Sequence, residues 1–214
     1  GIYVPVIEIG APTTEVKSQK QERTRVYLSD EGKNSYLKTA TLEPNALIYS
    51  FDVRGTGETV VPAPKIQWLA TVEGTLERIQ SKPGDTLEIE VATNSLILGR
   101  SLLSQQIYDA RVVLKWIRSR LEENGPFEVV SSGPRSSLIA LIVSCLEESI
   151  EKLVMERTLV ALDSVIGLRT SCLPMGCHHF GLLKSFDVSQ LLALSNAKDI
   201  VLSRCIDAHG KPLA

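Results

Sequence analysis

The chain has 214 residues, of which 43% are hydrophobic and 22% charged, with a formal net charge of -2 at pH 7. That length predicts one domain with a core of its own, and the near-neutral balance excludes nucleic acid or an acidic membrane as the main partner. No apolar run reaches the roughly 18 residues of a membrane span, and Gly1-Ile-Tyr-Val-Pro-Val-Ile7 lacks the charged start of a signal peptide. The expected form is a soluble chain, either cytoplasmic or processed after export.

The first 45 residues predict N-terminal strands and a connection: an apolar opening run, a polar stretch from Ala11 to Arg23, and a strand at Thr24–Ser29 stopped by Asp30-Glu-Gly32. Ala46–Asp52 is almost continuously apolar, as in a strand buried on both faces of a parallel sheet, and it ends in Arg54-Gly-Thr-Gly57. That turn lacks both the three glycines of a dinucleotide fingerprint and the Gly-Lys-Ser/Thr end of a P-loop, which leaves a tight turn after a buried strand. Residues 60–99 show no clean helical period and predict an irregular excursion, with one hairpin strand in the alternating Thr86-Leu-Glu-Ile-Glu-Val91.

Ser104–Leu121 repeats apolar residues at spacings of three and four (Ile107, Ala110, Leu114, Ile117, Leu121) and predicts an amphipathic helix ended by Asn124-Gly-Pro126. Asp109 on that helix predicts a cap or an ion-pair partner. Phe127–Val130 is a short apolar strand, Ser131–Ser137 is almost all turn chemistry, and Leu138–Leu146 is a buried helix. A strand at Lys152–Arg157, a loose segment at 167–181, a helix at Ser189–Ser195 and a last strand at Asp199–Ile206 complete the order. Strands alternating with helices through short turns predict a mostly parallel, doubly wound α/β sheet in a single domain over 1–214.

Four cysteines are too few to set a redox compartment. Cys145 and Cys205 fall within predicted apolar elements as free thiols. Cys172-Leu-Pro-Met-Gly-Cys177-His-His179 holds zinc-type ligands, but its spacing of the cysteines is loose, no second Cys/His pair follows, and adjacent histidines face one ion poorly. No metal and no cofactor is expected, and a Cys172–Cys177 disulfide is the expectation only for an exported chain.

Several short pieces, in order, are similar to one family. They are Phe51-Asp-Val-Arg-Gly-Thr-Gly-Glu58, Leu98-Gly-Arg-Ser-Leu-Leu103 followed by Tyr108-Asp109, the strand-turn-helix at 127–146, Gly181-Leu-Leu-Lys-Ser-Phe-Asp187 and Ile206-Asp-Ala-His-Gly-Lys-Pro-Leu213. Together they make residues 46–213 resemble the bacterial α/β-hydrolases of the acetyl xylan esterase-like kind. The resemblance implies a nucleophile on the turn between strand and helix, a G-x-S-x-G elbow, with an acid and then a histidine later in the chain.

This sequence departs from that pattern. Aligning Ser131-Ser-Gly-Pro-Arg135 with the elbow puts Gly133 at the nucleophile, with no reactive side chain, and Pro134 next, with no N–H for an oxyanion hole. A shifted register brings Ser132 or Ser136 to the apex without the small neighbours the turn requires. Asp207 ends the strand that carries the acid in this family, but His209 is only two residues away, and the last strand with its histidine has no counterpart before Ala214.

The ligand site is expected outside the carboxyl ends of the strands, lined by Asp52, Arg54, Gly55 and Glu156 together with 131–136, 156–158 and 207–209. Glu156 is expected to pair with Arg157 or Arg169. Two functions follow. One is a hydrolase-like domain without a triad, serving in binding or assembly, with a partner chain or second copy covering an open sheet edge. The other is a serine carboxylic ester hydrolase for acetylated carbohydrate or a similar small ester, using Ser132 or Ser136 with Asp207 and His209 or a partner's histidine.

Overall fold

The chain was analysed as a computed structural model, which describes residues 3–10, 23–39, 46–60, 85–121, 126–168 and 171–213. Among these, the strands are β1 (Val6–Ile9), β2 (Arg23–Ser29), β3 (Ala46–Phe51), β4 (Phe127–Ser132), β5 (Ile150–Glu156) and β6 (Asp199–Ser203). They form one sheet in the order β1-β3-β2-β4-β5-β6, antiparallel only between β1 and β3. The mostly parallel sheet predicted from strand and helix alternation is therefore the observed one.

The helices are α1 (Asn34–Thr39), α2 (Asp85–Ile97), α3 (Leu102–Arg120), α4 (Pro134–Leu146), α5 (Leu182–Ser185) and α6 (Val188–Leu194). Apolar periodicity decides the faces. Val26 and Leu28 of β2 and Leu47, Tyr49 and Phe51 of β3 meet Ala110, Leu114 and Ile117 of α3 and Leu138 to Leu141 of α4 in the main core. The alternate residues of the same strands, Tyr27, Ala46 and Ile48, pack with Tyr36 of α1 on the opposite face. β3 is buried along its whole length, as its continuous apolar run requires.

The alternating segment 86–91 is helical, which corrects the expected hairpin strand. Glu88, Val91, Ala92, Ser95 and Leu96, spaced three and one, form the at least half-buried side of α2. Small and polar residues occupy part of that side, so hydropathy carries little of the 3.6-residue period. α2 ends in a Schellman motif: Gly99 has φ +72°, Arg100 N–H donates to Ser95 O at 2.9 Å, and Gly99 N–H donates to Leu96 O at 3.0 Å. The rest of the expected excursion, 61–84, lies outside the described residues.

The register aligns the carboxyl ends. Ser29 stands beside Ser132, Ser132 beside Glu156, and Glu156 beside Ser203. β6 is an edge strand, and Val201 and Leu202 are exposed on it. Just beyond it the chain folds back, with Ile206 bridging Pro212 and Leu213 N–H donating to Cys205 O at 2.8 Å. No helix among the described residues is long and apolar enough to cross a membrane.

Candidate functional site

The turn between β4 and α4 is where the sequence places its chemistry. Gly133 has φ +105° and ψ 159°, a region open essentially to glycine alone, and this bend turns strand directly into helix. Its N–H donates to Glu156 O at 2.9 Å, which ties the turn to β5. Pro134 follows at the first helical position, where its missing N–H has no intrahelical partner to lose.

A helix starting this way leaves its next N–H groups without acceptors, and glycine has no side chain to cap them. Asp30, at the end of neighbouring β2, supplies the cap from 105 residues away. Its Oδ2 accepts Arg135 N–H at 3.1 Å, and its Oδ1 accepts Ser136 N–H at 2.7 Å and Ser136 Oγ–H at 2.6 Å. The carboxylate rests directly on the turn: a Cβ built on Gly133 would lie 2.5 Å from Asp30 Cγ. Asp30 N–H in turn donates to Ser132 O at 3.0 Å.

Arg135 continues the construction. Its guanidinium is buried, with Nη2 donating to Glu88 Oε2 of α2 at 2.6 Å. Burial works against its charge, but Cys177, Glu88 and Asp30 around it more than compensate and raise it above the ordinary guanidinium range. Glu88 Oε1 also accepts Gly176 N–H at 3.0 Å. The turn, α2 and the 175–177 segment are thereby joined through one ion pair. Cys177 is fully buried beside it, and burial pushes its thiol up to about 12.

The candidate residues divide accordingly. Ser136 is 1% exposed and spends its hydroxyl on Asp30. Ser132 is half-buried at the end of β4. Asp207 accepts His209 N–H at 2.9 Å and Lys211 N–H at 2.8 Å, so it closes the turn after β6, and the Lys211 amide, then that of His209, lowers its carboxyl below the ordinary range. His209 is exposed on that turn.

Asp52 is 1% exposed. It accepts the N–H of Lys33 at 2.5 Å and of Glu58 at 3.0 Å, and Lys33 Nζ at 3.2 Å. Arg54 pairs with buried Asp109 through two of its guanidinium nitrogens and its backbone N–H. Gly55 O accepts Arg135 Nη1–H at 3.4 Å. Glu156 pairs with Arg204, not with Arg157, which corrects one expected ion pair; Arg169 lies outside the described residues.

Two of the cavities among the described residues bear on the expected site. A pocket of about 10 Å³ lies by Pro134 and Thr158 at the carboxyl ends, room for one water at most. A groove of about 290 Å³ runs instead between Leu96 at the end of α2 and residues 175–184. On the turn itself, Asp30 packs against Arg135 and Ser136 through three hydrogen bonds. Asp30, Glu88 and Arg135 escaped the sequence reading. An acid after a strand and a Gly-Pro helix start are compatible signals, but their meeting is a matter of sheet order.

Among the described residues, His178, His179 and the two cysteines of that segment form no cluster that could hold a metal ion. His179 Nδ1 hydrogen-bonds Ser101 Oγ at 2.6 Å, Cys172 Sγ–H donates to Asp207 O at 3.4 Å, and Cys172 and Cys177 are free thiols.

No protein-family profile and no curated protein matches the chain. Solved structures do. A Bacteroides fragilis protein assigned as an acetyl xylan esterase is 14% identical with a TM-score of 0.60, over 88% of this chain and 53% of that one. The chain thus spans about half the length of that structure. Est1E of Butyrivibrio proteoclasticus, solved with ferulic acid, is 8% identical with a TM-score of 0.49 over 97% and 88% of the two chains. The peroxisomal α/β-hydrolase Lpx1 of Saccharomyces cerevisiae is 12% identical with a TM-score of 0.40 over 91% and 60%. The fold is α/β-hydrolase-like and resembles that of the acetyl xylan esterases.

Proposed function

We propose that this chain is an α/β-hydrolase-like domain without a catalytic triad, acting in binding or assembly. One observation carries it: the Asp30 carboxylate sits on the turn and takes the N–H groups of Arg135 and Ser136. Ester hydrolysis needs donors aimed at an oxygen that gains negative charge. Here the first residue of the helix is a proline with no donor, the next two donors are spent, and a carboxylate occupies the neighbourhood. A developing oxyanion would meet an acid where it needs an N–H. Asp207 spends its carboxylate on the backbone N–H groups of His209 and Lys211, and the carboxylate that takes the Ser136 hydroxyl is the helix cap itself, so no histidine is paired with Ser132 or Ser136 among the described residues.

Hydrolysis of p-nitrophenyl acetate should stay at the uncatalysed rate, and a fluorophosphonate probe should leave the chain unlabelled. Turnover lost in Ser132→Ala or Ser136→Ala would overturn the proposal. The second reading, a serine ester hydrolase for acetylated carbohydrate or a similar small ester, is supported by the fold likeness to the Bacteroides fragilis structure. It requires Asp30 to leave the turn and a histidine to come from another chain or segment.

A further inference from the structure

We propose that the groove between the end of α2 and residues 175–184 binds a small apolar carboxylate. The acid group would lie on His178, His179 and Lys184, with its chain against Met175, Phe180 and Leu183. This site is separate from the β4–α4 turn and stands whether or not that turn catalyses.

The apolar half of the case is exposure. Phe180 is 81% exposed, and Met175 and Leu183, about 40% exposed each, line the groove with it. Ile97 and Leu98, beside the lining Leu96 in sequence, are 77% and 78% exposed. Clustered exposure of this kind marks a binding surface more often than scattered single residues do. A volume of about 290 Å³ is at the low end of small-molecule sites, which selects a short ligand.

The polar half is charge without counter-charge. Every titratable group among the described lining residues, His178, His179 and Lys184, is neutral or positive, and none is a carboxylate. The side chains of His178 and Lys184 have no hydrogen-bond or ion-pair partner among the described residues, and His179 uses only Nδ1. That bond is a built one. Ser101, 3% exposed, caps α3 by accepting Ser104 N–H at 3.1 Å and holds the imidazole at 2.6 Å, so Nε2 is the ring nitrogen left for a ligand. A fixed imidazole, a second imidazole and an ammonium beside apolar walls complement an anion with an apolar tail.

Calorimetric titration at pH 7 with octanoate, 1-octanol and octyltrimethylammonium tests this. Octanoate should bind at least about tenfold more tightly than either of the others, and His179→Ala should reduce its affinity by a similar factor. Lys184→Glu should invert the preference toward octyltrimethylammonium, a gain that an unfolded variant cannot show. Equal affinity for octanoate and 1-octanol, or octanoate binding unchanged in both variants, would overturn the proposal. Octanoate is no ester, so the result is independent of any hydrolysis.

Discussion

At the scale of single residues, Gly133 and Asp30 are one feature. The positive φ of Gly133 excludes most side chains, and the Asp30 carboxylate fills the space a Cβ would take. Asp30→Ala removes a helix cap and should cost about 1–2 kcal/mol in urea unfolding. Gly133→Ser should cost more, because it adds both strained backbone and overlap with Asp30. In the double variant the overlap is gone, so the two costs should sum to more than the measured loss; strict additivity would mean that the two residues do not compete for the same space. Asp52 belongs to the same scale. Its partner Lys33 is 4% exposed, and although burial opposes its charge, Glu58 and Asp52 hold its ammonium above the ordinary range. Asp52→Ala leaves Lys33 paired with Glu58 alone and takes the acceptor from the N–H groups of Lys33 and Glu58, which should destabilise the fold by about 2 kcal/mol, as read by thermal or denaturant unfolding.

At the scale of elements, α4 illustrates division of labour. Its body from Leu138 to Leu141 is buried and needs no help from propensity, whereas its first turn depends on an acid from another strand. The turn after β6 depends on Asp207 in a similar way. Because hydrogen bonds from Lys211 and His209 lower the Asp207 carboxyl in the folded state, its contribution is complete above the unfolded value near 4 and is lost as pH falls through the lower folded value. Amide hydrogen exchange at Lys211 and His209, corrected for intrinsic rates, should therefore show constant protection from neutral pH down to about 4 and losing it below. Protection that instead falls between pH 7 and 5 would assign the turn to another group.

At the scale of the whole molecule, the open side of the sheet is β6. Its outer backbone groups face no strand among the described residues, and Val201 and Leu202 stand exposed beside them. An antiparallel pairing of two copies centred on Val201 would set that residue opposite its own counterpart and Ile200 opposite Leu202, since residues facing each other across a sheet share a face. Sedimentation velocity should accordingly show association that rises with concentration and is weakened by Val201→Lys, a device that blocks edge pairing. A monomer at all concentrations, in both forms, would remove self-pairing through this edge from the proposed assembly role.

What the sequence determined by itself is the order of elements and the side each one buries. The apolar run of β3, the three-and-four spacing of α3 and the Gly-Pro start of α4 are local patterns, and local patterns are set by dihedral preference and hydrophobic period. α2 escaped because polar and small residues occupy part of its covered side, so its period does not show in hydropathy. The lack of a side chain at Gly133 and of an N–H at Pro134 was legible for the same local reason. Only the tertiary structure decided what packs on that turn and where the groove lies. Asp30 reaches Ser136 because β2 lies beside β4 in the sheet, and His179 meets Ser101 across 78 residues. Such contacts depend on strand order and on the path of connections, which no window of sequence contains.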